Sequence, residues 1–106
     1  MLPKKNRADK KVVERIFKEG RVINAPNLAL RFVASRGPAR ISVIVPKSVA
    51  KKAVDRNRLR RRGYSVLEKY IKQLPLGLAG VLIFKKYQED FSIIEDEIKN
   101  IFNKIN

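Results

Sequence analysis

The sequence contains no cysteine, no histidine and no tryptophan, and its 10 acidic residues face 25 lysines and arginines over 106 positions. Without cysteine there is no disulfide scaffold, no thiolate zinc site and no cysteine nucleophile. Without histidine there is no imidazole base, and the commonest metal ligand is missing. Much hydrolytic chemistry is thereby excluded. No run of 18 or more apolar residues occurs, so no membrane span is expected. The basic stretch from Met1 to Lys11 is not followed by an apolar segment of signal-peptide length, which makes the cytoplasm the expected location.

What remains is a formal charge of +15 on a chain that is 44% hydrophobic. That length and composition suit a single domain over residues 1–106, with a core burying about 60–70% of the unfolded surface. So large an excess of one sign repels itself and attracts polyanions. The charge is uneven: residues 36–62 hold ten lysines or arginines and one acid, Asp55, whereas residues 89–106 are net acidic. A merely solvated helix face interleaves both signs to gain pairs one turn apart, and this stretch cannot do so.

Hydrophobic spacing gives a coarse order of elements. Asp9 is a candidate N-cap for a short helix carrying Val12, Val13, Ile16 and Phe17, with Gly20 as its stop. Alternation predicts strands from Leu28 to Val33 and from Ile41 to Val45, separated by a turn at Gly37-Pro38 and closed by Pro46. From Val49 to Leu74 a helix is predicted, its apolar face made of Leu59, Val66, Leu67, Tyr70, Ile71 and Leu74. Lys52 and Arg56 share the azimuth of that face. The later half is therefore expected to pack on the core while the first turns project past the sheet, leaving Arg56 unburied. After Pro75 and Gly77, Ala79 to Phe84 reads as a strand covered on both faces and ending in Lys85 and Lys86. Asp90 to Ile105 reads as the last helix, with Ser92 to Glu95 as a capping box, Glu95, Asp96 and Glu97 at its positive end, and Ile94, Ile98, Ile101 and Ile105 as its core stripe. The order helix, strand, strand, helix, strand, helix describes an α+β fold: a small sheet with helices packed on it.

Arg56, Asn57, Arg58, Arg60 and Arg61 spread guanidinium forks and an amide around most of a helix, and guanidinium matches phosphate in two-point geometry. A DNA reader holds its base contacts on one narrow stripe. Donors that fan out suit a folded RNA, so RNA rather than DNA is the expected partner. The stretch from Val45-Pro46-Lys47 through Lys51-Lys52 to Arg56-Asn57-Arg58-Leu59-Arg60-Arg61 resembles the signature of the protein subunit of bacterial ribonuclease P. In that family a strand ends in Val-x-Lys, a basic connection follows, and a helix opens with Arg-Asn-Arg. Ile16-Phe17-Lys18-Glu19-Gly20 is similar to the end of the family's first helix.

The resemblance implies a mostly antiparallel sheet with a left-handed strand-helix-strand crossover, against the usual right-handed rule. It implies that a large RNA subunit, with bound magnesium, removes the 5′ leader from precursor tRNA, and that the protein supplies no catalytic side chain and binds no cofactor. Carried onto this sequence, Lys47, Lys51, Lys52, Arg56, Asn57, Arg58, Arg60 and Arg61 become contacts to the RNA subunit. Val13, Phe17 and Arg31 become the cleft for the single-stranded leader, where an aromatic ring can stack on bases. Two positions depart from the family: Val13 stands where an aromatic is common, and Gly63 interrupts the helix after Arg62. A small ribosomal or ribosome-assembly protein has the same size and basicity and is the alternative reading. A stand-alone nuclease using acids to hold magnesium is disfavoured by the scatter of those acids.

Overall fold

The computed structural model describes residues 10–35, 37–74 and 77–105. The chain runs through α1 (Lys10–Glu19), β1 (Arg21–Asn24), β2 (Leu28–Ala34), β3 (Arg40–Ile44), α2 (Ala53–Tyr70), a 3₁₀ turn (Ile71–Gln73), β4 (Leu78–Phe84) and α3 (Phe91–Asn103). The proposed N-cap Asp9, and Pro75 at the helix break, lie outside the described residues.

The sheet has four strands in the order β1-β2-β4-β3. β1 and β4 flank β2 antiparallel, and β3 joins β4 parallel, so β3, α2 and β4 form a crossover unit between neighbouring strands. Strand β1 was not expected from the sequence. Of its residues only Ile23 is even partly buried, so Arg21-Val22-Ile23-Asn24 carries no alternation strong enough to read. It exists because Ala25-Pro26-Asn27 turns the chain tightly onto β2, with Ala25 N donating to the Leu28 carbonyl at 2.8 Å.

The side-chain period of two sends β2 and β4 residues to opposite faces. Leu28, Leu30, Leu82 and Phe84 point to the larger core, where α2 adds Leu59, Val66 and Leu67 and α3 adds Ile94, Ile98 and Ile101. Val33, Ala79 and Val81 point the other way, and Ile16 of α1 closes over them. Strand β4 is thus covered on both faces, as its continuous apolar run implied.

Helix α2 starts at Ala53 rather than at Val49, because residues 47–49 are held in a turn: Val49 N and Ala50 N both donate to the Pro46 carbonyl, at 3.0 and 3.3 Å. Its first buried residue is Leu59, so the opening turns place no side chain in the core. Gly63 lies at the closest approach of helix to sheet. A Cβ there would stand 3.1 Å from Val43 Cγ1 and 3.5 Å from Phe84 Cε1, so a side chain at this position would press on Val43.

The acids of α3 differ from expectation. The cap is Asp90, whose carboxylate accepts from Ser92 N at 2.9 Å and Ile93 N at 3.2 Å, so no Ser92 box is needed. No acid occupies the first turn. Glu95 instead pairs with Lys69 of α2 at 3.1 Å. Glu97 is buried and accepts from Asn27 N at 2.8 Å, Asn27 Nδ2 at 2.6 Å and Leu28 N at 3.1 Å.

Candidate nucleic-acid interface

At the end of β3 the chain leaves the sheet, and buried Val45 and Ala50 pin the two ends of the turn that follows. Between them Lys47 is exposed at the tip; after Ala50, Lys51 and Lys52 are exposed as well. Lys52 is the N-cap of α2 in an extended conformation and its side chain accepts nothing, while its carbonyl accepts from Asp55 N and Arg56 N at 3.1 Å each. A helix start without a side-chain acceptor leaves first-turn N–H groups oriented outward, and with cations on both sides this end of α2 favours anions.

The Arg-Asn-Arg cluster divides into side chains with different attachments. Arg56 is half-buried and turns back onto the connection, its Nη1 donating to the carbonyls of Ala50 at 3.0 Å and Lys51 at 2.7 Å. It is therefore bonded within the protein, contrary to the expectation that it projects freely. Arg58 lies between two acids, 3.5 Å from Asp55 and 3.4 Å from Glu89. Hydrogen bonding to Tyr87 is the chief reason that its guanidinium holds its proton more tightly than usual, with the charges of Asp55 and Glu89 adding to it. Arg60 Nη1 donates to Asn57 Oδ1 at 2.8 Å. Arg61 is exposed, and with Asn57, Arg60 and Tyr64 it borders a cavity of about 220 Å³. Tyr64 is held there because its hydroxyl accepts from Val43 N at 3.2 Å, on the side of β3 that faces away from β4.

Seven of the eight residues expected from the sequence, all but Arg56, thus offer a polar group at one end of the sheet. Tyr87 and Glu89 were missed. Their hydroxyl-to-carboxylate contact at 3.1 Å brings the connection after β4 beside Arg58, a proximity that no local sequence pattern signals. The basic and aromatic run Lys85-Lys86-Tyr87 was its faint trace.

The second group sits on the opposite face of the sheet. Phe17 leaves the inner side of α1 and is 43% exposed, so it is not a core residue. The guanidinium of Arg31 lies over its ring at 5.3 Å, and Arg31 Nη2 donates to the Phe17 carbonyl at 3.3 Å. Arg31 Nε is buried, with no hydrogen-bond partner among the described residues. Val13 packs against the small core around Ile16 and shares with Phe17 the rim of a depression of about 540 Å³. All three proposed cleft residues therefore gather where α1 meets β2. A cation stacked on an exposed ring presents an apolar plane and a positive charge together, which suits a single-stranded base and its phosphate.

Among the described residues no group of three or more acids could hold a metal ion, and no helix is long and apolar enough to cross a membrane.

The family model described as Ribonuclease P matches residues 2–106. The "Ribonuclease P protein component" of Synechococcus elongatus is 33% identical over 75 residues, covering 66% of this chain and 62% of that protein. The component of the same name from Microcystis aeruginosa is 37% identical over 49 residues, 46% of this chain and 41% of the other. The matched part thus spans less than two thirds of these curated relatives. Among solved structures, the RNase P protein of Thermotoga maritima superposes with a TM-score of 0.83 at 22% identity, covering 94% of this chain and 97% of that one. The Staphylococcus aureus RNase P protein gives 0.79 at 16% identity, over 95% and 94%. At such identities the likeness establishes the fold, and it includes the three helices and four-stranded sheet described above. None of these matches supports the ribosomal alternative. With residues 2–106 covered by one family pattern, the chain belongs to the ribonuclease P protein family.

Proposed function

We propose that this protein is the RNA-binding partner of a ribonuclease P RNA and assists removal of the 5′ leader from precursor tRNA. The observation that carries the reading is the run of exposed Lys47, Lys51, Lys52, Asn57 and Arg61 along the connection before α2 and the first half of that helix, in a chain of this family. Phosphate contacts of this kind supply affinity and orientation. Arg58 and Arg60 join the surface from its sides, and Arg56 acts through the connection it holds in place. The leader lies along α1, with Phe17 and Arg31 taking a base and its phosphate.

No side chain here acts as general acid, base or nucleophile. Magnesium held by RNA oxygens supplies the activation of water and the stabilisation of the leaving oxygen. The protein's own contribution is to bind the leader and dock on the RNA, which lowers the metal concentration required. Protein added to a bacterial ribonuclease P RNA is expected to raise precursor-tRNA cleavage at low magnesium; no gain refutes the reading. Phe17→Ala is expected to reduce the preference for precursor over mature tRNA while leaving RNA-subunit binding intact.

A further inference from the structure

Asn57, Arg60, Arg61 and Tyr64 fall at i, i+3, i+4 and i+7 of α2, so they share one face over two turns of the helix. The cavity of about 220 Å³ that they line is smaller than the roughly 300–1,000 Å³ of sites that enclose a whole small ligand, so it suits one part of a larger molecule. Its lining is graded in depth. Tyr64 is 8% exposed and forms the floor, fixed by the bond from Val43 N to its hydroxyl oxygen. Arg60 is half-buried and Arg61 is exposed, so the guanidiniums form the wall and the mouth.

The groups inside are of two kinds. The Tyr64 oxygen accepts from Val43 N, which leaves its own O–H to donate, and no acceptor for that O–H lies among the described residues. Asn57 Oδ1 accepts from Arg60 Nη1 at 2.8 Å, which fixes the plane of the amide and leaves a second lone pair on Oδ1. A free donor and a free acceptor therefore line one cavity whose mouth is cationic. A phosphate oxygen can only accept, and a guanidinium fork serves it in two points. A ribose 2′-hydroxyl both donates and accepts, and it is the group by which a protein tells RNA from DNA. We infer that this cavity binds one ribose of the RNA subunit through its 2′-hydroxyl, which accepts from the Tyr64 O–H and donates to Asn57 Oδ1, while Arg61 takes the adjoining phosphate. Arg60 serves as the positioning residue that holds the Asn57 amide. The inference rests on the RNA subunit docking along α2, and it adds the chemical group on the nucleotide that is read there.

The test is 2′-deoxy interference in a bacterial ribonuclease P RNA that carries a low level of 2′-deoxynucleotides at random positions. Molecules bound by the protein are separated from those left unbound, and each position is scored. The wild type is expected to reject a 2′-deoxynucleotide about two- to tenfold at a position where Tyr64→Phe and Asn57→Ala no longer discriminate, which is the worth of one hydrogen bond. Tyr64→Phe also removes the acceptor of Val43 N, so its thermal midpoint falls. Asn57→Ala, at an exposed position, keeps the midpoint and decides the matter if the first variant does not fold. The same interference pattern in wild type and variants overturns the proposal. So does a loss of affinity with a shallower salt slope and every 2′-deoxy effect retained, which assigns the cavity to a phosphate alone. If the wild type binds ribonuclease P RNA no better than an unrelated RNA of equal length, docking along α2 itself fails and the proposal falls with it, a result read before any position is scored.

Discussion

Glu97 shows how one residue can serve the fold through contacts remote in sequence. Its two carboxylate oxygens accept three N–H bonds from Asn27 and Leu28, 70 and 69 positions away, and so tie α3 to the start of β2. Glu97→Ala would leave two backbone donors unsatisfied, one of them buried, at about 1–3 kcal/mol each, so a fall of roughly 2–6 kcal/mol in unfolding free energy is expected in urea. Read along the helix it resembled one more acid near an N-terminus. Its position opposite a turn 70 residues earlier appears only when α3 packs across the sheet. Phe17 is a contrasting case. Its spacing with Ile16 allowed either a core or a surface role, and its exposure follows from Ile16, with Val12 and Val13 beside it, filling the space over Val33 and Val81.

At the scale of the element, α2 is the part most legible in the sequence and also the part most modified by its surroundings. Its apolar face and the lack of core side chains in its first turns followed from helical periodicity. Its start did not, because Pro46 accepts two backbone bonds that hold residues 47–49 in a turn. Nor did the internal bonds of Arg56, since a wheel gives the azimuth of a side chain and not the carbonyls within its reach. Two variants separate the roles. Arg56→Ala loses two carbonyl bonds and should lower stability by about 1–3 kcal/mol. Arg61→Ala should leave the thermal midpoint unchanged and lower the salt slope of RNA-subunit binding by about 0.7–0.9. Strand β1 marks the limit of element-level reading: four residues with one half-buried side chain have no pattern of their own, and β2 and the Ala25–Asn27 turn supply the reason for their conformation.

For the whole molecule, the surplus of 15 positive charges sorts into surfaces with different degrees of freedom. Counting every candidate cation around α2 suggests seven phosphate contacts, yet Arg56, Arg58 and Arg60 are already bonded to protein groups. Lys47, Lys51, Lys52 and Arg61 remain, so the slope of log K against log salt for the RNA subunit should lie near about −3 to −4 rather than about −5 to −6. A binding titration across salt concentrations checks this. The value moves toward the steeper figure if RNA displaces Asp55 and Glu89 from Arg58.

The sequence by itself determined the positive surplus that attracts a polyanion, the absence of cysteine and histidine chemistry, the α+β order and the family signature. Each of these depends on composition or on residues close together in the chain. The tertiary structure alone decided which arginines are free, where Phe17 meets Arg31, what position 63 packs against, and that a cavity opens beside Tyr64. Those depend on distances between segments brought together by the sheet, and local periodicity carries no information about them.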